Sequence, residues 1–243
     1  MKSEKTVSEA LHHRRSVRVY DENQPVDTAI VKACIEQATL APTSSNLQLW
    51  EFYHITSESL KKDIAAACFN QPAARTAQQM VIPVVRRDLW PQRVEANIEF
   101  IKAGFTQKGV IDPKTQERAL SYYKKIIPHL YKGGNPLRGF LMKLFMGIRG
   151  LKKTTYREVS ASDLRVVGHK STALAAQTFM MSMAAHGYDT CPMEGFDSVA
   201  LKRLLQLPTA AEVSMVISCG IRKPEGVYGD RFRIPFPSVY FER

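Results

Sequence analysis

The chain is 243 residues long, 44% hydrophobic and 23% charged, ordinary globular material with enough length for one domain around one sizeable core. Its 34 Lys and Arg against 23 Asp and Glu give a net charge of +11, which suits anionic ligands: nucleotides, nucleic acid or an acidic membrane surface. No apolar run approaches the roughly 18 residues needed to span a bilayer, and residues 1–10 lack an apolar signal core, so the expected compartment is the cytoplasm. Cys34, Cys68, Cys191 and Cys219 form no CxxC pair, which indicates reduced, mostly buried thiols and neither a zinc site nor a disulfide framework.

Val7, Ala10 and Leu11 predict one face of a first helix. It delivers Arg14-Arg15-Ser16-Val17-Arg18, three guanidinium groups and a hydroxyl within five residues. Arginine presents a planar fork of donors that matches phosphate oxygens, so Arg14, Ser16 and Arg18 can face one phosphorylated ligand; a solvated basic face is the alternative. Asp27 caps a second helix through Ile30, Val31, Cys34, Ile35 and Ala38, which Pro42 stops. Residues 41–50 read as a loop of short polar side chains that becomes a strand over 51–55. Ser57 can cap a third helix carrying Leu60, Ile64, Ala67 and Cys68, and 80–85 is a core strand in which Pro83 predicts an edge or a bulge.

Helices are predicted over 91–105 and 113–127, the second opened by Asp112 with Pro113 at its first position. From 124 to 157 there are nine Lys and Arg and no Asp or Glu, with a break at Gly133-Gly134-Asn135-Pro136. A long helix over 163–186 is apolar on most sides, which predicts a central, buried element, and Gly187 suits its left-handed stop. After 191–197, Asp197 caps a helix with Val199, Leu201, Leu204 and Leu205 that halts at Pro208, and 213–219 is a further core strand. The tail, 220–243, holds Arg231-Phe232-Arg233 and several prolines, the composition of an extended arm.

There is no GxGxxG or GxxxxGK[ST] loop, so a phosphate here must be held by side chains. Taken in order, Arg14-Arg15-Ser16-Val17-Arg18, the run from Pro42 to Trp50, the run from Pro192 to Asp197, and Arg231-Phe232-Arg233 resemble the nitroreductase family of FMN-dependent oxidoreductases, over 8–105 and 160–241. The resemblance implies an α+β fold with a central, mainly antiparallel sheet flanked by helices. It further implies a homodimer with exchanged C-terminal arms, about 222–243, and a flavin at each subunit interface. By position, Arg14, Ser16 and Arg233 would hold the FMN phosphate with Arg15 and Arg231 nearby, and Arg18 would lie at the pyrimidine end of the ring. Asn70 would be the ring-edge amide, Thr43, Ser44 and Asn46 would come from the partner subunit, backbone amides around Glu194 and Gly195 would address N5, and Pro42 and Met193 would be further cofactor-binding residues. Leu49 stands where many relatives carry Pro and Ala73 where some carry Lys, which leaves Arg18 as the main ring-edge cation. His169 and His186 are expected to be ordinary partners on the long helix, and no catalytic side chain or metal is implied.

The implied activity is electron transfer from NADH or NADPH to a flat acceptor, a nitroaromatic or a quinone, by a ping-pong cycle. The family also contains members acting on flavin, pteridine or halogenated substrates. A rival class is a basic nucleic-acid or membrane-surface binder with a secondary flavin site; nucleic acid is disfavoured, and membrane contact would fall to 124–157. Residues 106–160 lie outside the family motifs and are expected to form a basic helical lid. Its apolar underside would be Leu137, Leu141, Leu144, Phe145, Ile148 and Leu151, with Arg138, Lys143, Arg149, Lys152 and Lys153 as the basic remainder.

Overall fold

The computed structural model describes residues 4–109, 112–132 and 136–243, apart from the side chains of Pro136 and Arg138. The predicted break at 133–135 and the Arg138 side chain lie outside the described residues. Caps set several of the helices. Helix α1 (Val7–His13) opens on a capping box in which Thr6 Oγ accepts from the Glu9 amide and the Glu9 carboxylate accepts from the Thr6 amide. Helix α2 (Thr28–Ala38) begins at Asp27, whose carboxylate accepts from the Ala29 amide. Strand β1 (Trp50–Ile55), helix α3 (Glu58–Ala67), the single turn α4 (Pro72–Arg75) and strand β2 (Gln79–Val85) follow. Helix α5 (Trp90–Lys108) precedes α6 (Pro113–Ser121), capped by Asp112, and a π-helical turn at Tyr122–Ile126 leads into α7 (Ile127–Tyr131). Then come α8 (Pro136–Arg149), α9 (Ala161–Ala185), β3 (Asp189–Met193), α10 (Ser198–Leu204), β4 (Glu212–Val213) and β5 (Val216–Gly220).

The sheet runs β1-β2-β5-β3 and every pairing is antiparallel, with β4 pairing β2 beyond the end of β5. Helices α2 and α9 cover one face, where Val31, Cys34, Phe179 and Met183 meet Val81 and Ile217. On the other face Ile64 of α3 and Leu201 of α10 pack with Ile82 and Val216. Helix α9 is the buried central helix that its apolar surface predicts, and Gly187 ends it at φ 84°, a conformation that costs glycine little. Gly220 is required for a different reason: a Cβ there would collide with the buried Tyr20 ring, whose hydroxyl bonds Ser218. All four thiols are buried, and burial pushes Cys68 up to about 11 and Cys34, Cys191 and Cys219 upward as well.

The structure departs from the sequence reading at definite places. The strand expected over 213–219 is two pieces, β4 and β5, separated at Ser214 and Met215. The gap faces Pro83, whose carbonyl accepts from the Ser214 amide at 3.0 Å; the nitrogen that lacks a hydrogen is on that same edge, where no ladder bond is asked of it. Strand β2 is therefore central, and the irregularity at Pro83 is internal. The predicted helix over 113–127 is three consecutive pieces through the π-helical turn. In α1 only Ala10 is buried, while Val7 and Leu11 face solvent, and Ser57 precedes α3 without a side-chain cap bond.

Candidate functional site

Residues 16–18 run extended beside β3, with the Val17 amide donating to Thr190 at 3.3 Å and the Arg18 amide to Gly226 at 2.6 Å. Val17 is fully buried, so strand alternation turns Ser16 and Arg18 to the opposite side. The C-terminal segment returns to that side, and Arg14, Arg15, Ser16, Arg18, Arg231 and Arg233 line one cavity of about 240 Å³.

Within it the arginines are not equivalent. Arg231 donates to the carbonyls of Leu11, His12 and Arg14 at 3.1, 2.9 and 2.6 Å, satisfying acceptors that the end of α1 leaves open. Arg15 donates to the Gly229 carbonyl at 2.9 Å, and Arg18 Nη1 lies 3.2 Å from Cys191 Sγ. Arg14 makes no side-chain hydrogen bond or ion pair among the described residues, and burial, then repulsion from Arg231 and Arg233, lowers its pKa. Arg233 bonds only the adjacent Phe232 carbonyl, and Asp230, at the cavity wall, forms no salt bridge among the described residues. Convergent guanidinium groups that no carboxylate pairs with among the described residues, together with a neighbouring hydroxyl, form a donor set suited to a phosphate monoester.

The other expected contacts fall into two further groups. Asn70 is exposed at φ 52°, and its neighbour Gln71 donates to the Gly195 carbonyl at 2.8 Å, while the Asp197 amide donates to Ala67 at 2.8 Å. These bonds join the Asn70 loop to exposed Glu194 and Gly195. Met193 is buried in the core as the last residue of β3, so its backbone and not its side chain is what a ligand could meet. Pro42, Thr43, Ser44 and Asn46 are not brought to the arginine cavity of their own chain. Thr43 Oγ accepts from the Gln48 amide at 3.1 Å, the Ser44 amide donates to Ser171 of α9 at 3.4 Å, and Asn46 Nδ2 donates to Asn97 of α5 at 3.0 Å. Leu49 packs with Leu47, Val94, Ile98, Leu120 and Ile127, so the residue that departs from the family pattern anchors α5 to α7. Ala73 is buried in the core.

A larger cavity, about 720 Å³, lies between α8, the Tyr122–Tyr131 region and the start of α9, and Ser44 and Ser45 form part of its wall. Tyr122, Tyr131, Tyr156, Met142 and Met146 make it mainly apolar, with Lys125 and Arg149 as cations. Burial pushes the Tyr131 phenol up to about 12. Here the expected underside of the lid is reversed: α8 turns Met142 and Met146 inward and leaves Leu141, Leu144, Phe145 and Ile148 exposed.

Sequence reasoning missed one network. Arg222 donates from its amide and Nε to the Asp189 carboxylate at 2.8 and 2.9 Å, a third bond joins its Nη2 to Asp189, and His13 Nε2 lies 3.3 Å away. These residues are far apart in the chain, and no local pattern links them. His169 and His186 are ordinary partners as expected, at 3.3 Å from Glu212 and 3.5 Å from Glu4.

The model of the nitroreductase family matches residues 11–221. The chain belongs to the nitroreductase family. Among its relatives is MhqN of Bacillus subtilis, named for an inferred NAD(P)H nitroreductase activity, 24% identical over 225 residues and covering 93% of each chain. Of solved nitroreductase structures, ydfN of Bacillus subtilis matches with a TM-score of 0.73 and 22% identity over 97% of this chain and 98% of its own. An inferred nitroreductase of Exiguobacterium sibiricum, crystallised in complex with FMN, matches with a TM-score of 0.71 and 23% identity over 100% and 99%. The fold of the family, an antiparallel sheet flanked by helices, is the fold observed here.

Proposed function

We propose that this nitroreductase-family chain is an FMN-dependent oxidoreductase, active as a homodimer, that takes electrons from NADH or NADPH and passes them to a flat organic acceptor such as a nitroaromatic or quinone. The observation that carries the reading is the guanidinium cluster at Arg14 and Arg233 beside Ser16, which forms no salt bridge among the described residues. FMN, when bound, would supply the redox chemistry that links the nicotinamide donor to the acceptor, in a ping-pong cycle.

The chain's own residues bind, orient and tune. Arg14, Ser16 and Arg233 hold the phosphate, while Arg15 and Arg231 fix the tail against α1 through backbone carbonyls. Arg18 would lie at the pyrimidine end of the ring, where a fixed cation favours the negative charge that reduction brings. Asn70 would meet the ring edge, and the backbone around Met193, Glu194 and Gly195 would address N5. Pro42, Thr43, Ser44 and Asn46 reach the flavin of the partner subunit, which accounts for their distance from the arginine cavity of their own chain. The 720 Å³ cavity, walled by Ser44 and Ser45, would then open beside that flavin and receive the apolar body of the acceptor under α8.

The protein as purified will show an FMN spectrum that bleaches with NADH or NADPH. Arg14→Ala and Arg233→Ala will each weaken FMN binding by about 1.5 to 3 kcal/mol, the range for hydrogen bonds to charged groups, measured as flavin content and by titration of the stripped protein. Full flavin content in both variants would remove the phosphate assignment. Deleting residues 133–153 will leave FMN bound and raise the Michaelis constant for the acceptor or the nicotinamide. Unaltered steady-state kinetics would take the segment out of the active site.

A further inference from the structure

Helix α8 turns its apolar face away from the protein. At about 100° per residue, Phe140, Leu141, Leu144, Phe145 and Ile148 share one arc of about 140°, and Leu151 follows in the turn just past the helix end. They are 54–82% exposed. On the opposite side the helix meets the body through Gly139, packed by Ser160, and through Met142 and Met146 in the cavity wall. A surface helix that packs only on its own protein has the reverse polarity, and a contiguous exposed patch of this kind marks an interaction surface.

Charge decides what covers it. The segment 124–157 carries nine Lys and Arg and no Asp or Glu, and Lys152 and Lys153, just beyond the helix, are exposed and form no salt bridge among the described residues. A second copy docking by the same face would set these cations against each other on chains that already carry +11 each. A surface of anionic phospholipid neutralises them instead. Length decides how the helix sits. Its 14 residues span about 21 Å, short of the roughly 30 Å hydrocarbon core, and no helix among the described residues is long and apolar enough to cross a membrane.

We propose that α8 is an interfacial docking helix that seats the protein on an anionic phospholipid surface. The six apolar side chains enter the boundary between headgroups and acyl chains, the helix lies in the plane of the membrane, and Lys152 and Lys153 rest on the headgroups. This surface is independent of the flavin reading, because none of these residues touches the arginine cavity.

The test uses the full chain with sedimenting vesicles of phosphatidylcholine, with and without phosphatidylglycerol. The protein will bind vesicles containing phosphatidylglycerol, and the binding will weaken as salt rises. Leu144→Gln with Phe145→Gln will lower the partition coefficient at least about tenfold through lost apolar insertion. Lys152→Glu with Lys153→Glu will lower it at least about tenfold on anionic vesicles only. Phe145→Trp will report insertion directly, as a blue shift of its emission on anionic vesicles. Melting temperature and flavin content equal to wild type identify a folded variant. Absence of vesicle binding, equal binding by all variants, binding of duplex DNA in place of vesicles, or a smaller oligomer in the Leu144→Gln, Phe145→Gln variant would each overturn the proposal. The last outcome would assign the face to a second copy.

Discussion

A chain ended after Val227 will fold and purify as a monomer without flavin. The cut follows from where the tail's apolar side chains stop packing on the core of their own chain, although Arg231 and Gly229 still bond it. Arg222 is bonded to Asp189, the Lys223 amide donates to Val19 at 3.2 Å, the Gly226 carbonyl accepts from Arg18, and Val227 packs against the core. An earlier stop, after Ile221, would remove Arg222 and confuse a folding defect with an assembly defect. Past Val227 the character changes: Tyr228, Phe232, Ile234, Phe236, Val239, Tyr240 and Phe241 are 51–75% exposed. Phe236 and Tyr240 stack on each other at 4.8 Å and leave the rest uncovered, an arrangement that a partner's surface completes. Obligate interfaces typically bury over about 2,000 Å², and an extended arm of this length supplies much of that area. Arg231 and Arg233 leave with it, so the phosphate cavity loses one wall. Sedimentation and the flavin absorbance read the two losses separately. A truncated chain that stayed dimeric and yellow would refute both the exchanged arm and the role of Arg233.

What the sequence made legible was local chemistry, and what it hid was the sense of direction. Asp27, Asp112 and Asp197 read as caps because a short carboxylate before an apolar helical pattern has one low-energy use, and all three accept first-turn amides. The arginine-rich segment read as an anion site because guanidinium groups without nearby acids have few other partners, and the fold does gather them. Periodicity found the apolar stripe of α8 but gave only a face, and the expected underside proved to be the exposed side. Strand β3 escaped because it is only five residues long, starts on a buried Asp and contains Pro192; pairing with β5 makes it a strand, and no intrinsic preference does. Pro83 marked an irregularity, and of the edge or bulge it allowed only the edge fails, since an edge and an internal gap free the same nitrogen from the ladder. Asp189 gave no signal at all, because its partners are supplied by residues 13 and 222.

Asp189→Ala will lower the free energy of unfolding by about 3 kcal/mol, the low end of the cost of breaking a buried ion pair. The Asp189 side chain is only 2% exposed and accepts three bonds from Arg222, whose own side chain is 29% exposed. Removing the carboxylate leaves the Arg222 amide, Nε and Nη2 with a partner gone, and water reaches the guanidinium only in part, so the charge stays largely uncompensated. The same guanidinium donates to the His13 carbonyl at 2.9 Å, so the loss spreads to the end of α1 and to the start of the arginine segment. His13 adds a pH signature. Burial, reinforced by Arg222 and opposed by Asp189, lowers its pKa beneath 6.5, so the folded protein binds fewer protons there than the unfolded chain. Stability is full above 6.5 and falls as pH drops through that value toward the folded pKa. Without Asp189 the opposing pull is gone, the folded pKa falls further, and the acid decline extends to lower pH. Denaturant unfolding of wild type, Asp189→Ala and Asp189→Asn between about pH 5 and 8 measures this, and Asn, which keeps the acceptor oxygen and the volume, will recover part of the loss. Equal stability of Asp189→Ala and wild type would show that the pair only orients α1 and adds nothing to the fold.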